Sequence, residues 1–151
     1  MRLVNLPKMH LAFCYDVGEN AKKNTYEKLD QFLVDKGLNP SLFPHYFYCL
    51  NMNKQNEKKI LYVLYALVND ALNASGEIST MAIHAGSYIV FEMEEAQMKL
   101  FTEGNDTEFE ILVKKGLNFY KKTRVMDQLF ALIEETAENE QFVYHCHIPV
   151  K

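Results

Sequence analysis

Alternation of apolar and polar residues is clearest over residues 78–92, and the rest of the chain is organised around this stretch. Its apolar positions are Met81, Ile83, Ala85, Ile89 and Phe91. A period of two predicts a half-buried β-strand, although most strands are only about 5 or 6 residues long. Gly86 lies in the middle, where a missing Cβ permits a bulge or a bend. We therefore predict a corner of the sheet at Gly86 and Tyr88, the alternative being one long strand with a packing glycine.

Five other segments predict strands: residues 8–15, 44–51, 60–68, 126–134 and 141–150. Residues 60–68 are apolar on both faces, which is typical of a central strand. Between the last two strands, the acidic residues 135–140 predict a turn. Residues 94–101 fit either a short helix or a continuation of the strand that precedes them.

Two segments have one apolar face and predict amphipathic helices. Residues 21–36 follow Asn20, which favours the N-cap position, and precede Gly37, which suits the left-handed position after a helix. Residues 107–110 match a capping box before the second helix, at residues 108–120.

The order of these elements predicts an α+β fold, an antiparallel sheet with helices packed on it. Strand, helix, strand, strand occurs twice, in repeats at about residues 8–70 and 77–150. The chain has 151 residues, a length that fits one domain spanning residues 1–151 and containing both repeats.

Charge and composition exclude several classes of function. The net charge is −4, and lysines and arginines are spread along the chain, which argues against a basic nucleic-acid-binding face. No apolar run approaches the roughly 20 residues that span a bilayer, and no signal peptide is present, so we expect a cytoplasmic protein. Cys14, Cys49 and Cys146 are odd in number and far apart in sequence, which predicts reduced, buried thiols.

No catalytic motif is present, and aromatic residues are the main candidates for a functional site. Tyrosine rings can stack on a planar ligand and hydrogen-bond its edge; the candidates are Tyr15, Tyr46, Tyr48, Tyr62 and Tyr88. For Tyr62, in the most apolar strand, packing in the core is at least as good an interpretation.

Two further clusters are open to a structural or a functional interpretation. His145 and His147 share one strand face, and two imidazoles at that spacing can contribute to a metal site. No third ligand follows from the spacing, which favours an exposed strand face. The pairs at residues 94–95 and 134–135 suggest acid/base chemistry, but adjacent strand residues point to opposite faces, which favours a solvated surface.

Four signatures, in this order along the chain, resemble the GyrI-like effector-binding domain. They are Leu-Ala-Phe-Cys-Tyr-Asp-Val-Gly at residues 11–18, Tyr-Phe-Tyr at 46–48, Ala-Gly-Ser-Tyr at 85–88 and the closing His-Ile-Pro-Val-Lys at 147–151. That family is the small-molecule module of multidrug-responsive bacterial regulators of the MerR and AraC types, and it includes DNA gyrase inhibitor proteins. With a first strand near residue 8, no DNA-binding domain precedes the module, so we expect a stand-alone binding protein.

The resemblance implies two repeats in a pseudo-twofold arrangement, with a hydrophobic or cationic ligand in the cleft between them. The ligand-binding residues that it implies are Tyr15, Tyr46, Tyr48, Tyr88, Phe130 and Ala131. The sequence departs from the family at Ala131, where many members have a glutamate that meets a cationic drug. This departure predicts a larger, more apolar pocket that prefers neutral or weakly charged aromatic ligands, unless Glu134 or Glu92 supplies the carboxylate.

The family resemblance leaves two other functions open. One is a hydrolase of strained or toxic natural products that uses the same cleft. The other is a gyrase-inhibitor-like module, for which residues 134–140 would contact DNA gyrase or a regulator. No cofactor, metal, catalytic residue, membrane or nucleic-acid partner is implied, and the oligomeric state is left open.

Overall fold

The computed structural model describes residues 1–51, 60–125, 132–138 and 141–151. The strands in these residues are β1 Arg2–Leu6, β2 Met9–Val17, β3 His45–Asn51, β4 Ile60–Val68, β5 Ser79–Ile83, β6 Gly86–Glu94, β7 Leu132–Glu138 and β8 Gln141–Val150. The helices are α1 Ala21–Asp35, α2 Glu95–Thr102 and α3 Thr107–Tyr120, with a short 3₁₀ turn at Pro40–Leu42. All the strand pairs within each unit described below are antiparallel, which confirms the predicted α+β class.

Contacts divide the chain into two compact units. The first unit is Met9–Ile83, and the second unit consists of Met1–Lys8 and His84–Lys151. The first unit holds a strand, helix, strand, strand series and the second a strand, two helices and two strands, and an additional edge strand completes each sheet. In the first unit the edge strand is β5, and in the second it is β1.

The first unit is a four-stranded sheet in the order β3, β4, β2, β5, with α1 packed on β2 and β4. The apolar stripe of α1 places Leu29 and Leu33 in the core, where both are fully buried. Cys14 lies on the face of β2 that contacts α1, because its Sγ donates to the Thr25 carbonyl oxygen at 3.4 Å. The helix ends as predicted, since Gly37 has a φ of 76°.

The second unit has the strand order β1, β6, β8, β7, with α3 packed on β6. Phe109 of α3 contacts Phe91 of β6 with ring centroids 5.6 Å apart. Gly116 of α3 also packs closely on β6. A Cβ there would lie 3.0 Å from Cγ2 of Ile89 and from Sδ of Met1, so a larger residue would require these side chains to shift.

Residues 78–92 form two strands rather than one. β5 ends at Ile83 and β6 begins at Gly86, with the bend at His84 and Ala85. The chain therefore bends within this stretch, but at residues 84–85 rather than at the predicted Gly86 and Tyr88, and the bend coincides with the boundary between the two units in the sequence. Gly86 itself is the first residue of β6 and has an ordinary φ.

Several local predictions were wrong. The sequence analysis missed β1, while residues 94–101, for which a helix and a strand were both left open, are largely helical, as α2. The capping box predicted at Thr107 is absent: the N-cap of α3 is Asp106, without a side-chain cap. A capping box instead begins α2, where the Glu94 amide donates to Oε1 of Gln97 at 2.9 Å. The acidic residues 135–138 belong to β7, not to a turn, and residues 126–131 lie outside the described ranges.

The three cysteines are free and buried, as predicted. Burial raises the pKa of the Cys14 thiol to about 11 and that of Cys49 to about 12. Both thiols therefore stay protonated and behave as small apolar groups near neutral pH. Within the described ranges, no helix has both the length and the apolar composition needed to cross a membrane.

Candidate ligand-binding site

Tyrosines cluster on the face of the first unit's sheet that lies opposite α1. Tyr46 pairs with Tyr65 across β3 and β4, and Tyr48 pairs with Val63. Directly paired residues in an antiparallel sheet share a face, and so do residues two apart on one strand. Tyr46, Tyr48 and Tyr65 therefore lie together, on the opposite side of the sheet from Cys14 and α1.

Strand β2 adds two more rings to this face. Phe13 pairs with Tyr65, with ring centroids 5.5 Å apart, and Tyr15 pairs with Val63. We call the set of Phe13, Tyr15, Tyr46, Tyr48 and Tyr65 the tyrosine face. Its members range from buried to open: Tyr65 is 6% exposed, Tyr46 and Tyr48 are half-buried, and Tyr15 is 65% exposed.

This arrangement suits an uncharged aromatic surface. Burial, with a smaller contribution from the neighbouring Tyr48 phenol, raises the pKa of the Tyr65 phenol to about 12. Tyr65 thus stays neutral at physiological pH and carries no charge that would repel an anion. The half-buried rings beside it offer π-faces for stacking, and their hydroxyls can exchange hydrogen bonds with a ligand.

The structure brings Tyr15, Tyr46 and Tyr48 together, as the sequence-based site requires. The sequence analysis missed Tyr65 and Phe13, which the strand register would have identified. Tyr62, the fourth sequence candidate in this unit's strands, lies on the α1 face instead. Its ring stacks on Phe47 with centroids 5.3 Å apart and 10° between the planes, so packing in the core is its role.

Tyr88 lies in the second unit, where it pairs with Pro149 of β8 and with Val4 of β1. Its ring is buried, and burial raises the pKa of its phenol. It lines a cavity of about 220 Å³ that Gly86 and Val125 also border. That Tyr88 shares a cleft with Tyr46 and Tyr48 stays a prediction.

Phe130 and Ala131, the other two residues of the predicted site, lie outside the described residues. Their proposed contact with a ligand therefore stays a prediction as well.

The face of the second unit opposite α3 carries ionisable groups. Glu92 of β6 pairs with His145 of β8, which in turn pairs with Glu134 of β7. We call these three residues the carboxylate–histidine row. They lie opposite α3, because the adjacent Phe91 is the residue that contacts that helix. Nδ1 of His145 is 3.9 Å from Oε1 of Glu92, a loose pair in which the Glu92 side chain is largely exposed.

His147 lies two residues along β8 from the row, on the same face. The shared face of the two histidines was predicted, but the expectation that it is exposed was wrong, because His147 is only 9% exposed. Burial lowers the pKa of its imidazole, whose Nδ1 lies 3.2 Å from the Leu132 carbonyl oxygen. Glu134 and Glu135 are half-buried within β7, so they too depart from the predicted solvated surface. Over the residues that the structure describes, no three His, Cys, Asp or Glu side chains form a group suited to a metal ion.

Comparison with known proteins gives a match in fold. No family model matches the sequence, and no curated protein does. Among solved structures, the EcmrR C-terminal domain matches with a TM-score of 0.59 and 11% identity, over 99% of this chain and 96% of that domain. SAV2435 bound to tetraphenylphosphonium matches with a TM-score of 0.54 and 15% identity, over 99% of this chain and 93% of that protein.

EcmrR in its DNA complex also matches, with a TM-score of 0.54 and 13% identity. The match covers 99% of this chain but 56% of the EcmrR chain, so this chain spans little more than half of that regulator's length. The resemblance to the GyrI-like effector-binding domain is thereby confirmed at the level of the fold.

Proposed function

We propose that this chain is a cytosolic module that binds small hydrophobic, aromatic molecules, neutral or cationic, on the tyrosine face. One observation carries the proposal: three tyrosines named from the sequence share one sheet face with Tyr65 and Phe13. The fold of a protein solved with tetraphenylphosphonium bound supports it.

The chemistry of the tyrosine face favours ligands with several aromatic rings. Aromatic pairs contribute about 0.5–1.5 kcal/mol beyond the burial of their area. A lipophilic cation over a tyrosine ring gains a further cation–π attraction, of about 0.5–2 kcal/mol depending on desolvation. Tyr88, Phe130 and Ala131 remain proposed members of the same site.

The test is a calorimetric titration with two ligands that carry the same rings, the cation tetraphenylphosphonium and the neutral triphenylphosphine oxide. We expect both to bind, and we expect the double variant Tyr46→Ala/Tyr48→Ala to weaken both about tenfold or more. Phe119→Ala is the matched control, because that ring is 75% exposed on α3 and is not part of the tyrosine face.

Two results would contradict the proposal. One is that neither ligand binds the native chain at concentrations near its solubility limit. The other is that the double variant, folded by circular dichroism, keeps the native affinity for both ligands, because the tyrosine face would then not be the site.

The gyrase-inhibitor alternative gains no support from the acidic segment, since Glu134 and Glu135 are half-buried within β7. It and the hydrolase alternative stay predictions. Pull-down of gyrase and turnover of a strained electrophile are their respective tests.

A further inference from the structure

A cleft lies within the second unit, where β1 begins beside α3. This cleft has a volume of about 470 Å³, within the range of about 300–1,000 Å³ that is usual for small-molecule sites. Its apolar part comes from Val90, Phe91 and Leu112, and its charged side chains include Arg2 and Lys115. It shares no residue with the tyrosine face.

Local structure explains why these groups converge. Leu112 and Lys115 are three residues apart on α3, so they lie on the same side of the helix, the side that borders the cleft. Arg2 pairs with Val90, the last residue of β6 that β1 covers. Gly116 keeps α3 close to β6, which fixes the position of Lys115 relative to the sheet.

The charges in the cleft are not balanced. Among the described residues, neither Arg2 nor Lys115 forms an ion pair with any side chain. The cleft contains one carboxylate, Glu92, whose Oε1 lies 3.9 Å from Nδ1 of His145. The cations that border the cleft therefore outnumber its carboxylate. A negatively charged ligand offsets the excess.

We propose that this cleft is a binding site for small aromatic carboxylates. The aromatic part packs on Phe91 and Leu112, and the carboxylate accepts hydrogen bonds from Arg2 and Lys115 at the edge of β6 that β1 leaves uncovered, which groups from both faces of the sheet border. Charge-assisted hydrogen bonds of this kind are about twice as strong as neutral ones.

The experiment compares 2-naphthoate with its neutral amide, 2-naphthamide, by titration of the full chain. We expect the carboxylate to bind about tenfold or more tightly than the amide, and higher salt to weaken only the carboxylate. Arg2→Gln and Lys115→Met should each weaken 2-naphthoate about tenfold. Both side chains are exposed, so the melting temperature should not change.

Lys114→Met is the matched control, since Lys114 is an exposed neighbour that does not line the cleft. It should leave the affinity for 2-naphthoate unchanged. Equal binding of acid and amide would overturn the proposal, and so would an equal loss in Lys114→Met and Lys115→Met, which would indicate general attraction to the surface. A loss in Tyr46→Ala/Tyr48→Ala but not in Lys115→Met would assign the acid to the tyrosine face and overturn the separate site.

Discussion

Both units have a four-stranded antiparallel sheet with a helix packed on one face, but they carry different chemistry on the opposite sheet faces. In the first unit that face is the tyrosine face, where Tyr65 is held neutral by burial. In the second unit it holds the carboxylate–histidine row and the buried His147. The faces that contact the helices are alike, since both are mainly apolar and each contains a buried cysteine, Cys14 or Cys146.

In chemical terms, the first face offers neutral phenols and aromatic rings, whereas the second offers carboxylates and imidazoles. Packing against the helices favours apolar residues on one face of each sheet. The two units therefore differ in the residues of the other face. We infer that this face of the first unit suits stacking on aromatic groups, and that the corresponding face of the second unit suits charged or hydrogen-bonding groups.

The largest expected effect is on the free energy of unfolding, and it distinguishes the buried Tyr65 from the exposed Tyr15. Tyr65→Ala removes a ring that is 6% exposed and should lower the free energy of unfolding by about 3 kcal/mol. Tyr15→Ala removes a ring that is 65% exposed and should change it by less than about 0.5 kcal/mol. Urea denaturation measures both. Similar losses in the two variants would mean that the tyrosine face is uniformly structural.

Much of the fold was predictable because local patterns determine it. The strands at residues 60–68 and 141–150 have the predicted bounds, and α1 differs by one residue. The missed elements lack such a pattern. Strand β1 contains only five residues, with an exposure pattern that does not alternate cleanly, and its pairing with β6 spans more than 80 positions of the chain. No pattern among neighbouring residues predicts a contact at that separation in the sequence.

The candidate site was predictable only in part, for a related reason. Tyr46 and Tyr48 are two apart, so their shared face follows from the sequence. Strand β4 is apolar on both faces, so alternation cannot tell which of Tyr62 and Tyr65 lies opposite α1. The register of β4 against β2 and β3 decides it, and that register depends on packing across the sheet.

A smaller effect concerns the stability of the second unit as the pH changes. The pKa of His147 is lowered by burial from its ordinary value of 6.5. Between the two pKa values the unfolded chain binds more protons than the folded chain, so the free energy of unfolding falls as the pH drops below about 6.5. Above that pH this contribution is fully retained.

Denaturation of His147→Gln at a series of pH values tests this expectation. The variant should lose less stability than the native chain between about pH 7 and 5. His84→Gln, which replaces an exposed histidine, should follow the native chain. An NMR titration of His147 reads its pKa directly, and a value at or above 6.5 would contradict the argument whatever the variant does.

The smallest expected effect concerns ligand binding, and it tests the comparison most directly. If the ligand contacts only the aromatic rings of the tyrosine face, the affinity for triphenylphosphine oxide should change by less than about twofold between pH 5.5 and 8. Raising the salt concentration from about 0.05 to 0.5 M should have as little effect, since screening acts only on charges. Tetraphenylphosphonium should behave in the same way, because the sequence has Ala131 where the family's glutamate would attract a cation. Titration of both ligands under these conditions measures the four effects.

One outcome would contradict this expectation. If acid or salt weakens the affinity for the cation only, and Glu134→Gln or Glu92→Gln removes that dependence, then the carboxylate–histidine row replaces the missing glutamate. Binding is then not a property of the tyrosine face alone.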